Sequence, residues 1–288
     1  MGLLSGIFTG RSHTSTLRVL VVSDIHLALN AIQTVKDYLA RHTVNIDVIL
    51  VPGDICNIKG AEYTEKAAQI KAEDDTQNIL WSLEQITSKV YYIPGNHDPD
   101  SLLENQSQLT KNSTNVHKKV VELAPDLLLA GFGGSVPSYY APELRKQAWV
   151  GYPFKEEEEF KAEWSPFFNE HIKDKFSSQP NAQLLLMTHV GPSGSDTVRY
   201  HPSLDDHIIL SGSDTLQETF KQELDFQAKT VLNVHGHTHL GKGQSQYTNI
   251  PVVNPGSLKE GNWAILTLER VDQKPWELVS TQLLHFNV

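Results

Sequence analysis

Tyr92-Ile93-Pro94-Gly95-Asn96-His97-Asp98-Pro99 ends an apolar run at Pro-Gly, then presents an amide, an imidazole and a carboxylate in succession. Buried polar groups need partners. A strand that aims three of them at one point is therefore poor core design. It is reasonable design for a site that handles a metal and a proton, so the rest of the chain is read for what converges there.

Working outward, residues 90–93 read as a buried strand, and two similar runs precede it. Residues 17–22 (Leu-Arg-Val-Leu-Val-Val) end at Ser23-Asp24-Ile25-His26, and residues 47–51 end at Pro52-Gly53-Asp54. Between them, residues 29–41 place Ile32, Val35 and Leu39 at helical spacing, and residues 61–86 read as a longer helix. Strand–helix–strand–helix–strand with polar strand ends predicts parallel strands and right-handed crossovers. In open α/β sheets ligands sit outside the carboxyl ends of the strands, so these ends should line one edge.

The same theme returns later. Residues 184–187 stop at Thr188-His189, and residues 230–234 stop at His235-Gly236-His237-Thr238-His239. Residues 118–123 and 126–132 read as short strands, 136–153 as an aromatic-rich loop, and 155–175 and 214–228 as helices. The segments 244–248, 250–253, 262–270 and 277–284 alternate as strands of a second sheet with an antiparallel part. Candidate site residues run from 24 to 239, so a single domain over 17–288 is expected, after a flexible leader over 1–16.

Composition narrows the function classes. With 39% hydrophobic and 20% charged residues, the chain reads as globular, and no apolar run approaches the roughly 20 residues of a membrane span. The first ten residues lack a secretory signal pattern, and Gly6 breaks a myristoylation motif. One cysteine, Cys56, excludes an intrachain disulfide and a thiolate zinc cluster. A cytoplasmic location is expected, with no membrane association. The net charge of −10 disfavours binding of a nucleic-acid polymer. An anionic substrate would need a local positive centre, which bound cations supply.

Asp24, His26, Asp54, Asn96, His189, His237 and His239 offer only nitrogen and oxygen donors. That set suits Mn, Fe, Zn, Ni or Mg rather than soft metals. Seven candidates exceed the three or so protein ligands of one catalytic ion, and fit two divalent or trivalent ions sharing one carboxylate. Asp54, alone at its strand end, is the natural bridge. The i, i+2 spacing of Asp24/His26 and of His237/His239 puts each pair on one face if the backbone is extended.

The series Asp-x-His, Gly-Asp, Gly-Asn-His-Asp, His and Gly-His-x-His resembles that of the calcineurin-like metallophosphoesterase superfamily, over residues 18 to 257. The small Icc-related phosphoesterases are the most similar branch, through Gly133-Gly134-Ser135, Thr188-His189-Val190-Gly191-Pro192, Gly212-Ser213 and Asn254-Pro255-Gly256. The resemblance implies a four-layer α/β/β/α sandwich with two mixed β-sheets. It assigns Asp24, His26 and His239 to one metal, Asn96, His189 and His237 to another, and Asp54 to both. It also implies that His97 lies beside the leaving group and that Asp98 holds its ring.

The expected chemistry is hydrolysis of a small-molecule or nucleotide phosphodiester by hydroxide held between the metals, with His97 serving the leaving oxygen. A phosphomonoesterase is the alternative within the same chemistry. A protein-binding scaffold on the same fold is the alternative outside it, and His97 is the position that favours the enzyme. The loops 136–153 and 193–211 are candidates for the wall of the cleft, and Arg199, Tyr200 and His201 in the second are candidates for substrate contact. Oligomeric state has no signature.

Overall fold

A computed structural model describes residues 13–104, 108–141, 146–201 and 208–287. Its first strand, β1 (Thr14–Val21), shows how the layers arise. Leu17, Val19 and Val21 point into one apolar cluster, while Leu20, joined by Val22 just beyond, points into another. Alternation with both faces apolar is the signature of a strand covered on both sides.

Helix α1 (Leu29–Arg41), β2 (Val48–Val51), α2 (Lys66–Glu84) and β3 (Val90–Tyr92) follow, and a short α3 (Asp100–Leu103) leads to β4 (Ser113–Asn115). Then come β5 (Lys119–Ala124) and β6 (Leu127–Phe132), and next β7 (Ser138–Ala141) and β8 (Gln147–Trp149). Helix α4 (Glu157–Phe167) runs through a wider π turn into α5 (Asp174–Ser178), followed by β9 (Gln183–Thr188), β10 (Arg199–Tyr200) and β11 (Ile208–Leu210). Helices α6 (Asp214–Gln222) and α7 (Leu224–Lys229) precede β12 (Thr230–Val234). The chain ends in β13 (Gly243–Tyr247), β14 (Ile250–Asn254), β15 (Asn262–Val271) and β16 (Glu277–His285).

Two mixed six-stranded sheets result, ordered β16-β15-β1-β2-β3-β4 and β13-β14-β12-β9-β6-β5. Strands β1 to β4 are parallel to one another, as are β6, β9, β12 and β14; β15, β16, β13 and β5 are antiparallel additions. Val19, Leu50, Leu129, Leu185, Met187, Leu232 and Leu266 fill the space between the sheets. Ile32, Val35 and Leu39 of α1, with Ile79, Leu80 and Leu83 of α2, cover the outside of the first sheet. Phe160 and Trp164 of α4, Leu216 and Phe220 of α6, and Phe226 of α7 cover the second. The four layers are therefore α/β/β/α, as the resemblance implied.

The structure departs from the sequence reading in three places. Strand β1 starts at Thr14, because it pairs with β15 from Thr14↔Val271 onward. That claims part of the expected leader, whose residues 1–12 lie outside the described ones. The segment 214–228 is two helices, broken at Glu223. The segment 136–153 is not all loop, since β7 and β8 join β10 and β11 in a third, antiparallel sheet ordered β10-β11-β7-β8. Among the described residues, no helix is long and apolar enough to cross a membrane.

Candidate dinuclear metal site

The polar strand ends meet at one edge, but not by extended geometry. β1 stops at Val21, and Asp24 and His26 lie in the turn beyond it with φ of 51° and 46°. Asp54 (φ 53°) and His237 (φ 64°) also adopt left-handed backbone. Such conformations cost about 1–3 kcal/mol each for a residue other than glycine and persist only where the surroundings over-determine them. Here the turns are laced together: the amides of Asp24 and His26 donate to the carbonyls of Gly53 (3.1 Å) and Asp54 (3.0 Å), and that of Gly236 to His189 (3.0 Å).

Two groups of ligand atoms result. Asp24, His26, Asp54 and His239 form one, and Asp54, His189 and His237 the other; within each, the atoms lie within 4.8 Å of one another. Asp54 serves both, with Oδ2 at 3.8 Å from His26 Nε2 and Oδ1 at 3.5 Å from His189 Nε2. Asn96 Oδ1 is 2.9 Å from His189 Nε2, which adds an amide oxygen to the second group. Asp24 is fully buried, and its carboxylate accepts the His237 amide at 3.0 and 3.1 Å.

The imidazoles are oriented from behind. His26 Nδ1 donates to Cys56 O (3.1 Å) and His189 Nδ1 to Pro52 O (2.7 Å), so each presents its Nε2 lone pair inward. His239 Nδ1 faces Glu260 Oε1 at 3.4 Å. Nε2 of His26 and of His239 then stand 3.2 Å apart. A proton on His239, favoured by Asp24 and Glu260, bridges the two nitrogens, and a bound cation would take its place. His237 Nε2 is buried with no hydrogen-bond partner among the described residues. A buried polar atom without a partner is costly, and a metal ligand is its natural role. The residues present therefore fit metal binding.

Electrostatics agree, because the site demands positive charge. Burial pushes His189 down, but the Asp54 carboxylate outweighs it and lifts the imidazole to about 9. Against the same burial, Asp24 and Glu260 raise His239 to about 10. His237, facing His189 rather than a carboxylate partner, is pushed down to about 3, mainly by burial. Asp54 itself is held well below the carboxylate range by the imidazoles around it, despite full burial.

His97 and Asp98 divide their duties differently from the expectation. The His97 ring is anchored by Nδ1 donating to Ile58 O at 2.7 Å, and its amide donates to Asp54 Oδ1 at 2.8 Å. Asp98 does not hold that ring. Its carboxylate accepts the amides of Cys56 and Gly95, both at 2.7 Å, from a fully buried position. The reason is that consecutive side chains in this turn diverge, so His97 faces outward while Asp98 points into the turns carrying the ligands. Burial, with Asp54 nearby, lifts Asp98 to about 6.

A sequence model of the calcineurin-like phosphoesterases matches residues 17–241. The chain belongs to this family. It is with its family a metal-dependent phosphoric ester hydrolase, and the clustered His and Asp groups are where metal would bind. No curated protein matches the phosphoesterase significantly. Solved structures share its fold. One chain aligns with a TM-score of 0.66 at 16% identity, covering 95% of this phosphoesterase and all of that chain. A Thermus thermophilus protein, TT1561, aligns at 0.54 and 19% identity, with 94% and 99% covered. A dimetal phosphatase from Danio rerio aligns at 0.54 and 10% identity, with 92% and 98% covered.

A cavity of about 790 Å³ opens over the phosphoesterase's ligand groups. Asp54, Asn96, His97, His237 and His239 form its polar floor. Of the three substrate candidates, only Tyr200 lines it. Arg199 is half exposed and sits 3.7 Å from Asp196, and His201 is exposed; neither borders the cavity. Trp149 and Tyr152 come from the loop 136–153 expected to wall the cleft, whereas Lys59, Tyr63 and Lys155, also in the wall, carried no signal in the sequence reading. Tyr63 and Tyr152 stack with centroids 3.9 Å apart. The Tyr63 hydroxyl donates to Asn96 O and that of Tyr152 to Asp100.

Proposed function

We propose that this phosphoesterase is a dinuclear enzyme that hydrolyses small phosphodiesters. Asp24, His26 and His239 would hold one cation and Asn96, His189 and His237 the other, with Asp54 shared. The observation that carries the reading is the pair of ligand groups meeting at Asp54, with His97 at their edge. Bound cations supply a water of lowered pKa and offset charge on the phosphoryl oxygens.

The chain's own part is proton handling and orientation. With Nδ1 committed to Ile58 O, only Nε2 of His97 is left to work. In the imidazolium form it donates its proton to the leaving oxygen, a contribution of about 10²–10⁴ in rate. Asp98 acts one step removed, by fixing the Gly95 and Cys56 amides and so the turns that carry Asp54 and Asn96. A diester is favoured over a monoester because Ala148, Trp149, Val150 and Tyr152 give the cavity apolar walls beside the ligand groups, suited to a second organic substituent.

The test compares bis-p-nitrophenyl phosphate, p-nitrophenyl phosphate and diphenyl phosphate with added Mn. The diester should be turned over faster than the monoester, and the reverse order makes the protein a monoesterase. H97A should lose about 10²–10⁴ in kcat on diphenyl phosphate, whose leaving group is poor. The loss should be far smaller on the nitrophenyl ester. Full turnover of diphenyl phosphate by H97A overturns the role of His97.

A further inference from the structure

The cavity has two chemically distinct ends. At one, the His97 ring lies 5.3 Å from that of His26, in the first ligand group. At the other, Trp149 stands edge-on to His237 of the second group, with centroids 5.8 Å apart and planes at 85°. Tyr200 packs against the same indole at 5.1 Å and 77°. Both aromatic residues come from the small third sheet: Trp149 ends β8, Tyr200 ends β10, and β7 and β11 join them. Strand β10 lies against the turn that carries His239. The sheet therefore holds an indole and a phenol over the metal-ligand floor, both half-buried and both lining the cavity. Ala148, Val150 and Gly151 beside them add no charge.

Clamping Trp149 from two directions fixes its ring with little remaining freedom, and a ring ordered in advance binds a flat partner at low entropic cost. If the proposed function holds, the leaving group departs on the His97 side. The substituent that stays on phosphorus, equatorial in an in-line displacement, then has room toward His237 and Trp149, which border the same cavity. We infer that Trp149, supported by Tyr200, forms a subsite for an aromatic ring on the retained side of the phosphodiester, and that it sets the enzyme's preference among diesters with a common leaving group. A ring packed on an aromatic face gains over a methyl group both by area and by quadrupole geometry.

Two measurements test this. In the first, methyl p-nitrophenyl phosphate and phenyl p-nitrophenyl phosphate are compared in the Mn-loaded enzyme, since both release nitrophenolate and differ only in the retained group. The phenyl ester should have a kcat/KM about tenfold higher, expressed in KM. W149A should bring the ratio close to one, while W149F should keep most of it. The second measures binding alone, by calorimetry with phenylphosphonate and methylphosphonate, which carry the retained group on an uncleavable P–C bond. Phenylphosphonate should bind about tenfold tighter to the wild type and to W149F, and without preference to W149A. Equal values for the two partners in the wild type, or a preference surviving in W149A, overturns the subsite while the diesterase reading stands. Turnover of p-nitrophenyl phosphate with neither diester cleaved overturns both.

Discussion

At the residue scale, this site is decided by what stands behind each candidate ligand. His26 and His189 present Nε2 because backbone carbonyls take their Nδ1 protons, and His239 is backed by Glu260. Loss of an outer partner typically costs 10–100-fold in metal affinity. E260Q should therefore weaken Mn binding by about tenfold in a direct titration; unchanged affinity would show that Glu260 is a surface carboxylate only. Asp54 faces both ligand groups, so D54N should lower the bound metal to well under one equivalent by elemental analysis; two retained equivalents would end the bridging assignment. Cys56 lies beside the site yet is inert by construction. Its thiol is buried, within hydrogen-bond distance of Ala72 O and Thr76, and is pushed far above its usual range by burial and by Asp98. A disulfide reagent at pH 8 should leave it unmodified in the folded protein and react with it fully in urea. The division between His97 and Asp98 was not legible from their adjacency in the chain, because the turn sends the two side chains in different directions.

At the element scale, the strands themselves were readable and their ends were not. A run such as 184–187 is apolar because both faces of its sheet are covered, and that shows in one dimension. The backbone after each strand end does not. Asp24, His26, Asp54 and His237 reach the site through left-handed turns rather than through extended alternation. Glycine is needed where these turns cross. A Cβ on Gly95 would run into Asp54 Oδ1 and the Asp54 amide, and would lie 2.7 Å from His189 Cε1. G95A should accordingly abolish metal binding and turnover while far-UV dichroism stays native; retained Mn affinity would mean the turn can relax. The third sheet escaped detection for another reason. Its strands are two to four residues long and come from two separated segments, too short for any period to register.

At the scale of the whole molecule, the site's rigidity rests on the two sheets being locked together. Leu129 of β6 is fully buried in the layer between them, so L129A should cost about 2–5 kcal/mol in urea unfolding, as expected for a cavity in a packed core. His117 is a second tie: it follows β4 of the first sheet, and its Nδ1 accepts the Gly133 amide (2.8 Å), just past β6 of the second. Burial, with Lys118 and Lys119 nearby, holds the imidazole down at about 3, against 6.5 when unfolded. Between those values the unfolded chain binds the extra proton, so this contribution to stability is intact above pH 6.5 and falls as pH drops toward 3. The stability advantage of wild type over H117Q should thus shrink by about 1.4 kcal/mol per pH unit below 6.5. A constant difference between pH 7 and 5 would show that His117 is not neutral in the fold.

The sequence by itself determined the family, the parallel strand–helix order and the seven residues that gather where the strand ends of the two sheets meet. Each of these is written locally, in apolar runs that end in a donor of fixed type. Only the tertiary structure decided that Asp98 serves the backbone rather than His97, and that Tyr200 reaches the cavity while Arg199 and His201 do not. Those outcomes depend on the direction a side chain takes after a turn, and on segments tens of residues apart lying side by side. Neither leaves a mark on the spacing of residues along the chain.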